Sequence, residues 1–155
     1  EFVGTAHLQK VVGIMPCGSF HWARVVFQNG SAFSFFCLKT GEKSKKYFHR
    51  SMNFYDHETR RYIRFWNPRL KILEEKGKIT TWTIEGWDEE NEITIVLETY
   101  AEIKFTMKGG GSQVYREYAV TPSRFRFTTN DQTVTLKDLG NGVGTFEDAY
   151  GLPGF

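Results

Sequence analysis

The sequence predicts an all-β chain, a single antiparallel up-and-down β-barrel of about eight to ten strands. Three observations carry this. Apolar and polar residues alternate in short runs, with turn residues recurring roughly every eight to twelve positions. No stretch holds a helical period. Aromatic residues make up 16% of the chain, 14 Phe, 7 Tyr and 4 Trp against only 4 Pro, and such side chains favour a pleated sheet.

Taken in order, residues 1–18 carry no clear element. The first hairpin is "FHWARVVFQNGSAFSFFCL", where Asn29-Gly30 fits a type I′ turn between strands near 19–28 and 31–38. After the polar loop "KTGEKSKK", strands are expected at 47–54 and 60–66, separated by "DHET". Asn67-Pro68 ends the second of these, because proline cannot donate to a ladder. "LKIL" continues as a short strand, "EEKGK" turns, and "KITTWTIEGW" (78–87) and "ITIVLETY" flank the acidic turn "DEENE". In "EIKFTMK", Ile103, Phe105 and Met107 alternate with Lys104, Thr106 and Lys108, as in a strand with one wet face. "GGGS" at 109–112 reads as a hairpin turn, followed by "QVYREYAV", "SRFRFTT", "TVTLKDL" and the closing "GVGTFEDAYG".

With 155 residues and 18.0 kDa, one domain spanning 1–155 accounts for the chain, and it can bury roughly two-thirds of its unfolded surface. A meander of this length must hide its edges, and closing into a barrel does so most completely. The interior of such a barrel is either filled by side chains or holds one small ligand. Gly86, Gly142 and Gly144 suit the sharp bends of a strongly curved sheet.

The formal charge of +2 implies neither a nucleic-acid nor a membrane partner. It hides an asymmetry: residues 39–71 hold ten Lys or Arg against three acids, whereas 85–102 hold seven acids and no base. Such blocks are expected to neutralise each other across the folded surface. Cys17 and Cys37 match no metal-ligand spacing and read as free thiols. The apolar run "VVGIM" is far short of the roughly 20 residues a bilayer span needs. No signal-peptide pattern precedes it, so the expectation is a cytoplasmic protein. The chain opens on Glu-Phe rather than Met, as a piece of a longer protein would.

"GNGVGT" loosely matches a phosphate-binding loop but lacks the helix and following strand that such a loop opens. There is no Walker lysine, helical His pair or nucleophile elbow, so no metal and no cofactor is expected. The informative residues are polar groups on aromatic strands. Period two puts His21, Ala23, Val25 and Phe27 on one face and Trp22 and Arg24 on the other. Tyr115 and Glu117 share a face, as do Val143, Thr145, Glu147 and Ala149. If those faces turn inward, two carboxylates and a phenol meet in an apolar lumen, where a carboxyl pKa rises and a general acid is prepared. The plainer alternative leaves Glu117 paired with an arginine at the mouth and Glu147 in water. In "HETRRYIRFWNPR" (57–69), arginines interleave with Tyr62, Phe65 and Trp66 as on single-strand nucleic-acid platforms. An edge strand protected by positive charge is the plainer account.

"FHWARVVFQNG", "VYREYAV" and "GNGVGTFEDAYG" together resemble the C-terminal barrel half of the lipocalin-like proteins related to carotenoid 1,2-hydratase (hydroxyneurosporene synthase). Trp22, Arg24, Asn29, Gly30, Tyr115, Glu117, Gly142, Gly144 and Glu147 fall on the matching positions. Tyr118 stands where the family has Gly, and Phe146 takes its aromatic place. The resemblance implies a calycin barrel with a lumen for a hydrophobic small molecule, and a second barrel domain or second copy as partner.

The leading expectation is therefore binding of a hydrophobic or amphipathic small molecule in the lumen, with Trp22, Arg24, Trp66, Trp82, Tyr115 and Phe146 as contacts. One alternative is an enzyme acting on a polyene or terpenoid-like substrate by hydration, cyclisation or isomerisation, with Glu147 or Glu117 as proton donor and His21 as base. The other is single-stranded nucleic-acid binding through residues 57–69.

Overall fold

The computed structural model describes residues 19–39, 46–109 and 111–151. They form one antiparallel sheet, curled into a half-barrel, with almost no helix. Ten strands follow in chain order: β1 (Ser19–Phe27), β2 (Ala32–Lys39), β3 (Tyr47–Asp56), β4 (Arg61–Trp66), β5 (Arg69–Glu75), β6 (Lys78–Trp87), β7 (Glu92–Gly109), β8 (Gly111–Thr128), β9 (Thr133–Thr135) and β10 (Gly142–Gly151). A single helical turn, α1 (Leu136–Leu139), precedes β10.

The spatial order is β4-β3-β2-β1-β10-β8-β7-β6-β5, with β9 pairing β8. First and last strands are neighbours in the middle of the sheet, His21 opposite Asp148 and Trp22 opposite Glu147. The two edges are β4 and β5, consecutive in sequence and joined through Asn67 and Pro68. Asn67 takes a positive φ of 54°, and its N–H bonds the Arg50 carbonyl at 3.0 Å. This is the break expected at Asn-Pro. It turns the chain from one sheet edge to the other.

Alternation decides the core. On β1 every second residue from Ser19 to Phe27 is buried, and on β2 every second residue from Phe33 to Lys39. Trp82 and Phe146 stack at 3.6 Å between ring centres, and Phe33, Phe35, Phe54, Phe65, Tyr118 and Phe127 are also fully buried. These side chains, with Ile84, Ile93 and Ile95, make up the core on the inner face. Gly86 lets the facing walls meet, since a Cβ there would lie 2.3 Å from Met52 Cε and 3.1 Å from Phe65 Cβ.

Three expectations change. The hairpin at Asn29-Gly30 forms, but only Gly30 has positive φ, at 91°. The Gly30 N–H bonds Phe27 O and the Phe27 N–H bonds Ser31 O, which is a type I turn closed by a glycine bulge rather than a type I′ turn. Second, "TVTLKDL" is not one strand: it leaves the ladder after Thr135, where Thr135 and Asp138 form a capping box that winds α1. Third, the segment around Ile103 and Phe105 has no buried face, because residues 101–106 are all exposed. It continues β7 past the end of its pairing with β6. Residues 1–18, Cys17 among them, and the side chain of Met107 lie outside the description.

Candidate functional site

The acids of the last strand are held on opposite faces. Glu147 sits between Trp22 of β1 and Glu117 of β8 in the ladder, on the outer face, yet only 5% of it is exposed. One carboxylate oxygen accepts from Arg24 Nη2 and the other from the Tyr115 hydroxyl. Arg24 also donates to Thr145 Oγ1 at 3.1 Å and lies over the Trp22 ring at 5.0 Å. Burial pushes the Tyr115 phenol above its ordinary pKa, nearby Glu117 adds to that, and Arg24 opposes it. The grouping of Tyr115, Glu117 and Glu147 expected from period two therefore forms, but on the outside of the sheet rather than in a lumen.

Beside it an open groove of about 630 Å³ runs along β1 and β10, lined by Arg24, Val26, Tyr100, Val143, Gly144 and Thr145. Two local features make it. Tyr100 stands in a bulge of β7, where the register with β8 shifts between Thr99 and Ala101. Between β7 and β10 the β8 residue opposite Thr145 is the small Ala119. Arg24 and Thr145 lie at one end, Val26 and Val143 along the length, and the amides Gln28 and Asn141 at the other end. That arrangement suits a molecule with an apolar body and an acidic or hydroxylated head.

The inner face holds a second cluster, which the sequence reading missed apart from His21. Cys37, His21, Asp148 and Arg116 form one cross-strand row. Lys39 Nζ donates to Asp148 Oδ1 at 2.7 Å, and both side chains are buried. His21 Nδ1 lies 3.1 Å from the same oxygen, off the line of a hydrogen bond. Burial lowers the His21 pKa, Lys39 lowers it further, and Asp148 opposes. For Asp148, burial acts upward, but His21 and Lys39 outweigh it and hold the carboxyl at about 2. Burial pushes the Cys37 thiol up to about 12, so it is no nucleophile at neutral pH. The pair Glu147-Asp148 was visible in the sequence, but Lys39 stood in a charge run and gave no sign of being buried.

The candidate residues thus divide. Arg24, Trp22, Tyr115, Glu117 and Glu147 come together on the outer face. His21 lies on the opposite face, so the sheet separates it from either glutamate. Trp82 and Phe146 are core, with Trp82 Nε1 donating to Thr99 Oγ1 at 3.3 Å. Trp66 stands apart on edge strand β4, 60% exposed. Of the basic and acidic blocks, Glu85 meets Lys71 at 3.1 Å and Arg69 at 3.7 Å across β5 and β6. Among the described residues no helix is long and apolar enough to cross a membrane. No protein-family model, curated protein or solved structure matches the chain.

Proposed function

We propose that the protein binds an amphipathic small molecule in the outer groove, its apolar body along Val26, Tyr100 and Val143 and its polar head at Arg24. The observation that carries this is the placing of a guanidinium, oriented by Glu147 and Thr145, at one end of a groove whose middle is lined by Val26, Tyr100 and Val143 and whose other end is closed by the uncharged amides Gln28 and Asn141. A buried carboxylate that fixes a partly exposed arginine preorganises it for a second anion or hydroxyl.

The test uses 1-anilinonaphthalene-8-sulfonate, an apolar probe with an anionic head, followed by its fluorescence. Val143 is 65% exposed, so Val143→Asp fills the groove with charge without touching the core. Val143→Asp is expected to abolish uptake, and Arg24→Met to weaken it by about 10- to 100-fold, as the loss of a charge-assisted contact implies. Wild-type uptake by Val143→Asp overturns the reading.

Edge strand β4 favours a second reading, single-stranded nucleic-acid binding. Tyr62 and Trp66 are each 60% exposed, and Arg64 lies 5.8 and 5.4 Å from their rings. Asn53 Oδ1 accepts from both Tyr62 and Arg64 and holds the set in place. Stacking on such rings tolerates any base. Oligonucleotide anisotropy should then fall steeply with salt and be lost in Trp66→Ala; a flat salt response removes this reading.

A further inference from the structure

Strand β7 is 18 residues long, but β6 accompanies only its first part, through the Thr81–Glu98 pair. From Ala101 to Gly109 the strand is paired to β8 on one side, and among the described residues nothing pairs with the other. This edge is not a loose hairpin. Its partner β8 is itself paired with β10 from Gln113 to Val120, so the central sheet backs it.

Exposed strand edges are ordinarily guarded by shortness, proline, bulges or charge. Edge strand β4 has six residues and carries Arg61 and Arg64, and β5 has a register shift between Leu73 and Glu74 and charges at Arg69, Lys71, Glu74 and Glu75. The free stretch of β7 has no proline and exposes Ile103 at 60% and Phe105 at 40%. Its charged residues from 101 to 109 are Glu102, Lys104 and Lys108, at even positions of one strand.

That spacing selects a partner. Two copies pairing these edges antiparallel are related by a two-fold axis normal to the sheet, which keeps each face on its own side. Directly opposed residues share a face, so the axis must pass through a residue, which then meets itself. Centred on 102, the pairing sets Glu102 against Glu102. Centred on 104, it sets Lys104 against Lys104. Centred on 105, it sets Glu102 against Lys108 but leaves Lys104 facing Thr106, so only a closer centre matches Glu102 with Lys104. Centred on 103, it sets each Glu102 against the other copy's Lys104, Ile103 against Ile103 and Ala101 against Phe105.

The geometry points to a homodimer formed by antiparallel pairing of the two β7 edges about Ile103, continuing one sheet through both copies. An isologous contact of this kind is self-complementary and closed, so it ends at two copies and does not build a fibre. The ladder bonds supply affinity and the Glu102–Lys104 matches fix the register.

Sedimentation velocity of the full chain, from low to high micromolar, tests it. The wild type is expected to dimerise. Glu102→Lys and Lys104→Glu are each expected to weaken dimerisation about tenfold or more, since each sets like charges opposite one another, and the double variant to restore it. Both substitutions are at exposed positions, and circular dichroism checks that the three variants fold. A monomeric wild type overturns the proposal, as when a different chain or residues 1–18 cover the edge. A dimer indifferent to the single substitutions, or one that the double variant fails to restore, overturns it equally.

Discussion

Glu147 and Asp148 are consecutive residues whose carboxylates are both buried, on opposite faces of one strand, each bonded to a cation from β1 or β2. Beneath β10 lies the core, and on its outer face the side chains of Arg24 and Tyr115 close over Glu147. Successive side chains can both leave water only when each face supplies a partner.

The inner partnership should be the more costly to break. Asp148→Asn leaves the Lys39 ammonium buried without its counter-charge and is expected to cost about 3–5 kcal/mol. The pair Asp148→Leu with Lys39→Met removes both charges and should recover much of that loss. Urea unfolding measures both, and a single substitution costing no more than the pair would contradict the ion pair's role.

Acid should weaken the fold in two windows. His21 has a folded pKa below its ordinary 6.5, so the unfolded chain takes up the proton first and stability declines as pH falls below that value. Asp148 falls from 3.8 to about 2 on folding. Its contribution of about 2 kcal/mol is complete above the unfolded value and is lost as pH drops through the folded one. His21→Gln should remove the upper decline in thermal melts and shrink the lower one, because His21 is the first of the two groups that hold the Asp148 carboxyl down.

Gly144 and Gly86 should differ in their tolerance of a methyl group. At Gly144 the new Cβ would lie 2.0 Å from the Arg24 carbonyl oxygen, so backbone must move and the β1–β10 ladder must open. A loss of about 3 kcal/mol or more is expected. At Gly86 the closest atom is the end of the flexible Met52 side chain, and about 1–2 kcal/mol is expected. Chemical denaturation midpoints give the order, and equal losses would refute it.

The tryptophans should divide by depth. Trp82→Ala removes the stack on Phe146 and the bond to Thr99 and is expected to cost about 3–5 kcal/mol. Trp66→Ala, at an exposed edge, should stay within about 0.5 kcal/mol. Calorimetry distinguishes them.

Much of this fold was legible in the residues. Alternation located the strands, Asn29-Gly30 the hairpin and Asn67-Pro68 the break between the sheet's two edges. The signal for α1 was also present, since Thr135 and Asp138 have capping-box spacing, but the alternation of Val134 and Leu136 masked it. The turn at Gly30 differed because the Asn29 side chain accepts from the Ser31 N–H at 2.9 Å, a local bond that competes with the type I′ geometry.

By itself the sequence determined which side chains share a face: His21 with Ala23, Tyr115 with Glu117, Thr145 with Glu147. Period two is a local property of an extended backbone and needs no knowledge of the neighbours. Only the tertiary structure decided which of those faces turns inward, placing Asp148 with Lys39 in the core and Glu147 with Arg24 outside. Both faces of β1 carry aromatic and aliphatic groups, so hydrophobicity along one strand could not choose between them, and the choice fell to the strands brought alongside.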